Sequence, residues 1–258
     1  MTEKLVLEID QHTALITIAN PPANTFDEDV LARLTSIVAE LNNNPDVYAL
    51  VIRGAGNRFF SAGADLNMFA SGDREMAAAV ADSFGEAFGA LSRFRGVSIA
   101  AINGYAMGGG LECAMACDIR IAEEQAVMAL PEATVGLLPA GLGTQHLPWL
   151  VGEGWAKRMI LCGERVDAET ALRIGLVEEV VPTGASFEKA IALAALVAGQ
   201  SPGSVAACKQ LIQGARSTPI TAGYTRERDA FVALFGTDDQ LEGVNAFLEK
   251  RKPVWKNR

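Results

Sequence analysis

Histidine is almost missing from this chain. The two it has, His12 and His146, lie far apart in 258 residues, too few and too isolated for a histidine metal site or a catalytic triad. Acid–base chemistry therefore falls to carboxylates. Cysteine is scarce as well: Cys113, Cys117, Cys162 and Cys208 form no Cys-x-x-Cys pair and no zinc spacing, and they read as small core residues. No apolar run reaches the roughly 20 residues that cross a bilayer. Positive charge is outnumbered, with 22 Lys and Arg against 31 Asp and Glu and a net charge of -9. That balance argues against nucleic acid or an anionic membrane as the main partner, because both are held through cations. The opening, MTEKLVLEID, is neither a signal sequence nor an Arg-rich, acid-poor transit peptide, so the expectation is a soluble, cytoplasmic protein. Also missing are Gly-Lys-Ser/Thr, a dinucleotide G-x-G-x-x-G and G-x-S-x-G, and phosphoryl transfer, Rossmann hydride transfer and serine hydrolysis lose ground accordingly.

What is present is apolar: 50% hydrophobic residues and 21% charged, enough for one large core or a core with an appendage. The chain is organised around Val97 to Asp118, which reads as strand, glycine turn and helix, the helix opening after Gly108-Gly109-Gly110. Three glycines there clear side chains from the backbone, and the first N–H groups of the helix lack partners, so the turn can hold a negative oxygen. Upstream, Leu5–Ile9 and Ala14–Ile18 predict a hairpin. Asp27 caps a helix with apolar Val30, Leu31, Leu34, Ile37, Val38 and Leu41, and Tyr48–Ile52 predicts a strand covered on both faces. Gly54 to Leu66 is too glycine-rich for regular structure yet too apolar for a solvated loop, and is a second candidate backbone cradle. Asp73 to Leu91 is helical by composition.

Beyond the centre, Ile119–Ala122 and Val127–Leu130 predict short strands. Gly152–Leu161 and Asp167–Ile174 predict helices, the second closed by Gly175, and Val177–Val181 a last strand. From Phe187 the chain is helical, with breaks near Ser201-Pro202, Thr218-Pro219 and Gly236-Thr237. The order strand, strand, helix hints at a spiral of ββα units. A compositional boundary falls near residue 196.

Few residues can carry chemistry. Glu112 sits beside an apolar helix face and is a candidate acid–base group. An acid in a first helical turn is also stabilised by the helix dipole, by roughly 0.3 to 1 kcal/mol, without any catalytic role. Glu132 follows Leu130-Pro131 and has the same two readings, since proline commonly opens a helix. The glycine turn can equally serve only to let a helix pack closely on a strand.

Ser61-Ala62-Gly63-Ala64-Asp65-Leu66, Asn103 to Glu112, Leu130-Pro131-Glu132 with Gly136, and Gly143-Thr144-Gln145 together resemble the crotonase superfamily, with enoyl-CoA hydratases nearest. The resemblance runs through Cys162 to Ala168 and on to Glu242 to Pro253. It implies an α/β fold, a crotonase-like spiral of ββα units (residues 1–195, with the active site) and a C-terminal helical trimerisation region (residues 196–258), assembled as a homotrimer or dimer of trimers. It implies reversible addition of water to the C2=C3 bond of 2-enoyl-CoA thioesters. The N–H groups of Ala64 and Gly109 would bind the thioester oxygen, Ala62, Asp65 and Leu66 would contact the CoA substrate, and Glu112 and Glu132 would be the catalytic acids. No metal or cofactor is implied beyond the coenzyme A carried on the substrate.

The chain departs from the family pattern at several places. Asn67 stands where many hydratases carry Lys, Leu130 replaces Gln, Ala140-Gly141-Leu142-Gly143 replaces Gly-Ala-Gly-Gly, and His146 replaces Arg, with a structural reading. The basic residues near the C-terminus read as a solvated tail. The alternatives are another crotonase-type reaction, double-bond isomerisation or a specialised acyl-CoA dehydration, and, from a different class, an RNA-associated or non-catalytic binding protein on the same fold. Two glutamates favour hydration, and the net negative charge disfavours RNA.

Overall fold

The computed structural model describes residues 3–258; Met1 and Thr2, at the start of the expected 1–195 region, lie outside the described residues. Strands β1 (Leu5–Asp10) and β2 (Thr13–Ile18) pair antiparallel across the expected hairpin. In β2, Ala14, Ile16 and Ile18 point inward and alternate with half-exposed neighbours, the two-residue period of a strand with one face on the core. Helix α1 (Glu28–Asn43) starts where Asp27 accepts from the Val30 N–H at 3.0 Å, and all six apolar residues of its stripe are buried.

From there the chain winds in repeated turns. Strands β3 (Ala49–Gly54) and β4 (Phe59–Ser61) lead through a 3-10 turn at Leu66–Phe69 to α2 (Arg74–Ser92). Strands β5 (Val97–Ile102) and β6 (Tyr105–Met107) lead to α3 (Gly109–Ala116). Strands β7 (Ile119–Glu123) and β8 (Val127–Ala129) lead through a 3-10 turn at Glu132–Val135 to α4 (Gly143–Leu161). Each turn sends its first strand to one sheet and its second to another. With β9 (Val166–Asp167), α5 (Ala168–Ile174) and β10 (Glu179–Val181) added, the larger sheet runs β1-β2-β3-β5-β7-β10 and the smaller β4-β6-β8-β9. Pairings from β2 through β10 in the larger sheet and from β4 through β8 in the smaller are parallel. This is the spiral of ββα units that the sequence implied.

Helix α6 (Ser186–Ala198) packs Ala190 and Ala194 onto Ala49, Val51, Ile99, Ala101 and Ile121. The larger sheet is thereby covered on both faces, which is why its central strands read as continuous apolar runs. The expected boundary at 195/196 falls inside α6, three residues before its end. Helix α7 (Pro202–Gly214) turns 110° from α6, and α8 (Ile220–Leu234) and α9 (Asp238–Leu248) follow. Among the described residues no single helix is long and apolar enough to cross a membrane.

Several local expectations need correction: of the four cysteines read as core residues, Cys113 and Cys117 are buried, but Cys162 and Cys208 are exposed. Strand β4 lies inside the stretch expected to be irregular, and β6 inside the expected glycine turn; each is three residues long, below the length at which alternation shows. Helix α4 begins at Gly143 rather than Gly152, which is a break within it at φ 77°, ψ 161°. Strand β10 starts at Glu179 because Leu176 and Val177 are still turned back, their N–H groups donating to Ala171 O to close α5 behind Gly175. Asn103 does follow β5 in a turn, and there it is a buried amide that accepts from Gly54 N–H and donates to Gly54 O and Gly56 O.

Candidate active site

The loops that leave β4, β6 and β8 at their C-terminal ends converge, as loops at the carboxyl ends of parallel strands generally do. Between them lies a cleft of about 590 Å³. All seven residues singled out from sequence line it: Ala62, Ala64, Asp65 and Leu66 from the first loop, Gly109 and Glu112 from the second, and Glu132 from the third.

Two backbone amides face this space. Phe26 N–H donates to Gly63 O at 2.8 Å and Phe26 O accepts from Asp65 N–H at 2.9 Å, a single parallel bridge that turns the intervening Ala64 N–H the other way. Gly109 opens α3, so its N–H has no intrahelical acceptor. Among the described residues neither amide donates to a protein acceptor. The two loops touch closely. A side chain on Gly63, at φ +92°, would meet Met107 O at 2.6 Å and Gly109 N at 3.0 Å, and one on Gly109 would sit 3.6 Å from Ala64 N. The glycines thus let two unpartnered donors come together, the arrangement that stabilises a developing oxyanion.

Glu112 is only 3% exposed. Its Oε1 accepts from Gly143 N–H at 2.8 Å. Burial pushes its carboxyl up to about 7; the Gly143 and Gly141 N–H groups pull the other way and Glu132 adds to the rise. The Gly141–Gly143 stretch is shaped around it: a side chain carbon on Gly141 would lie 2.9 Å from Oε2 and 2.6 Å from the Phe88 ring, and one on Gly143 2.7 Å from Oε1. Leu142 between them adopts φ 75°, ψ 7° to cap α4, a left-handed conformation unusual for a bulky residue. Glu132 heads its 3-10 turn with Oε2 buried and, among the described residues, without a hydrogen-bond partner. Burial raises this carboxyl too. Its Oε1 lies where a side chain on Gly108 would come within 3.0 Å, and Gly108 is held at φ 52° with its N–H on Ala129 O.

The rest of the wall is apolar. Phe69, Ala77, Val80, Ala81 and Phe84 come from the second spiral turn, and Val135, Leu137 and Leu138 from the loop after Glu132. Phe84 stacks edge-on with Phe88 and Phe26, at 5.6 and 6.3 Å between ring centres, fixing the floor. Sequence reasoning missed this wall and the part played by Gly141 and Gly143. The three-and-four spacing of Ala77, Val80, Ala81 and Phe84 is the signal that marks the α2 face. Asp65 faces its own loop, accepting from Asn67 N–H at 3.0 Å and Nδ2 at 2.8 Å. Among the described residues no group of three or more His, Cys, Asp or Glu is placed to hold a metal ion.

Comparison with known proteins matches residues 8–258 to the family described as enoyl-CoA hydratase/isomerase. The 2,3-dehydroadipyl-CoA hydratase of Escherichia coli (strain K12) is 37% identical over 256 residues, covering 99% of each chain. A probable enoyl-CoA hydratase of Bacillus subtilis (strain 168) is 40% identical over 252 residues, covering 97% of each. Among solved structures, Pseudomonas aeruginosa DspI superposes with a TM-score of 0.97 at 65% identity, over 99% of this chain and 97% of that one. An enoyl-CoA hydratase from Bacillus anthracis gives 0.95 at 34% identity, over 99% and 100%.

Proposed function

The chain belongs to the enoyl-CoA hydratase/isomerase family of the crotonase superfamily, and from that premise we propose that it adds water reversibly to the C2=C3 bond of 2-enoyl-CoA thioesters, giving 3-hydroxyacyl-CoA. The observation that carries this reading is the pairing of a buried carboxyl, Glu112, with a half-buried one, Glu132, both raised above their usual range, with two unpartnered amides on one apolar cleft. As water adds to C3, electrons move onto the thioester oxygen. Ala64 N–H and Gly109 N–H donate to that oxygen, and fixed donors of this kind are each worth ~10²- to 10³-fold in rate. Glu112 takes the proton from water as its oxygen bonds to C3, and Glu132 delivers a proton to C2. In the reverse direction Glu112 returns the proton to the departing hydroxyl and Glu132 removes the C2 proton.

Burial raises both carboxyls, and Glu132 adds to the rise at Glu112 by disfavouring its ionised form. The Gly143 N–H bond steadies the ionised Glu112 that hydration requires. No cofactor enters beyond the CoA on the substrate, whose binding we assign to Ala62, Asp65 and Leu66. The apolar wall from Phe69 to Phe84 suits an acyl chain. A related reaction, isomerisation of the double bond, uses the same oxygen cradle but needs only one base, at C2, and Glu112, which acts on water, would then be dispensable.

The test is hydration of crotonyl-CoA, followed as loss of enoyl-thioester absorbance, in Glu112→Gln and Glu132→Gln. Each should lose most of the activity while binding of a CoA ester stays nearly intact. Full activity in either variant removes that residue from the scheme. Assembly as a homotrimer or dimer of trimers is part of the same proposal. It is supported by apolar side chains left open on and beside α8 and α9, among them Tyr224, Phe231, Phe235 and Phe247, the last 83% exposed. Light scattering reads the mass directly, and a monomer would refute it. A cytoplasmic location is proposed on the four free thiols, which suit a reducing compartment.

A further inference from the structure

Helix α3 is two turns long and carries Gly109 N–H at its first position and Glu112 one turn in. A helix this short holds its line only through its neighbours. At its C-terminal end the carbonyls lack intrahelical partners, and one of them, Met115 O, lies 3.2 Å from His146 Nδ1. A carbonyl can only accept, so Nδ1 carries the proton and Nε2 is the unprotonated nitrogen. His146 stands one turn along α4 from Gly143, whose N–H holds Glu112 Oε1 at 2.8 Å. Two rungs therefore join the helices, Gly143 to Glu112 and His146 to Met115, with the same three-residue spacing on each.

We propose that His146 is a positioning residue for catalysis: by holding Met115 O it fixes α3 against α4, and so sets how Gly143 N–H meets Glu112. It does not line the catalytic cleft. It borders a separate cavity of about 780 Å³ behind α3, in company with Asp118, Lys209 and Arg216. Burial, with Arg216 and Arg120 adding to it, lowers the imidazole below its ordinary range against the opposing pull of Met115 O. The neutral ring that donates from Nδ1 is thus the form in place at neutral pH. On the other rung, the titratable group that faces Glu112 is Glu132. The inference rests on the catalytic reading of Glu112 given above.

Asparagine places its amide nitrogen where histidine has Nδ1, glutamine moves it one bond further out, and leucine has no donor. The full-length His146→Leu, His146→Gln and His146→Asn proteins are compared by kcat and KM on crotonyl-CoA. They are compared also by the titration of Glu112 without substrate, read by NMR on protein carrying ¹³C at the glutamate carboxyls, with the Glu112 signal assigned by its loss in Glu112→Gln. In His146→Leu we expect kcat to fall about tenfold, as loss of fine alignment does, with KM little changed and the Glu112 midpoint moved upward. His146→Asn should restore both. A leucine variant with wild-type kcat and wild-type titration overturns the proposal, as does an asparagine variant no better than leucine. Should the leucine variant not fold, glutamine takes its place, and equal behaviour of the glutamine and asparagine variants overturns it. A wild-type protein that hydrates no enoyl-CoA refutes the reaction proposed above, and the titration then judges the His146 rung alone.

Discussion

Glu112 is a carboxyl shut away from water with backbone N–H groups for company, and the protein is less stable for ionising it. Its folded-state value near 7 lies above the ordinary carboxylate value of 4.5, so the folded state holds the proton more tightly than the unfolded chain does. The contribution of this one group to stability is therefore full below about pH 4.5, falls as pH rises toward 7, and stays lower above that, by an amount on the order of 3 kcal/mol. Glu112→Gln keeps an oxygen for Gly143 N–H and removes the charge. It should raise the midpoint of thermal unfolding at pH 8 and leave it nearly unchanged at pH 4; equal shifts at both pH values would contradict the burial argument. The acid itself stands out in the sequence beside Leu111, Met115 and three glycines, but the helix dipole explains an acid there equally well, and the catalytic reading came with the family resemblance. Its holders were not legible. Gly141 and Gly143 act through backbone atoms, which leave no side-chain pattern, and the unpartnered Glu132 Oε2 shows only once three loops are brought together.

Elements with a long period were readable, and short ones were not. Helix α1 was visible because six apolar residues at three-and-four spacing and an aspartate cap point to the same answer. Strands β4 and β6, three residues each, give alternation nothing to repeat, and they were hidden inside what looked like glycine loops. The glycines of α3 have a role at this scale as well. A side chain on Gly110 would fall inside contact distance of Ser61 O and 2.9 Å from Ser61 Cβ, so it is this glycine that lets α3 lie directly on β4. Gly110→Ala should push the helix off the strand at a cost of about 1–3 kcal/mol, and should carry Gly109 N–H away from Ala64 N–H as it does so. Chemical denaturation reads the first effect. A fall in kcat with CoA-ester binding retained reads the second, and unchanged stability would show that the helix can shift without penalty.

At the scale of the molecule, the parallel order of the larger sheet was hinted at by the succession of strand, strand and helix, but the division of strands between two sheets was not, since pairing partners lie far apart in sequence. The attachment of the C-terminal helices was equally hidden. Lys209 of α7 reaches into the body, donating to Phe94 O at 2.6 Å, Gly96 O at 3.0 Å and Asp118 Oδ2 at 2.7 Å, and Asp118 also accepts from Ser98. The pair is nearly buried, with Lys209 9% and Asp118 19% exposed. Lys209→Ala would leave a carboxylate without its cation and two carbonyls without their donor, which should cost about 3 kcal/mol in equilibrium unfolding; a loss below about 1 kcal/mol would mean that the strut carries nothing beyond an exposed ion pair. The rung between Glu112 and Gly143 has its own consequence for synthesis on the ribosome. The acid is polymerised 31 residues ahead of the amide that receives it, so a nascent chain stalled between them has the Glu112 carboxyl in hand and nothing to hold it. The middle of this protein cannot finish folding until the start of α4 has cleared the exit tunnel.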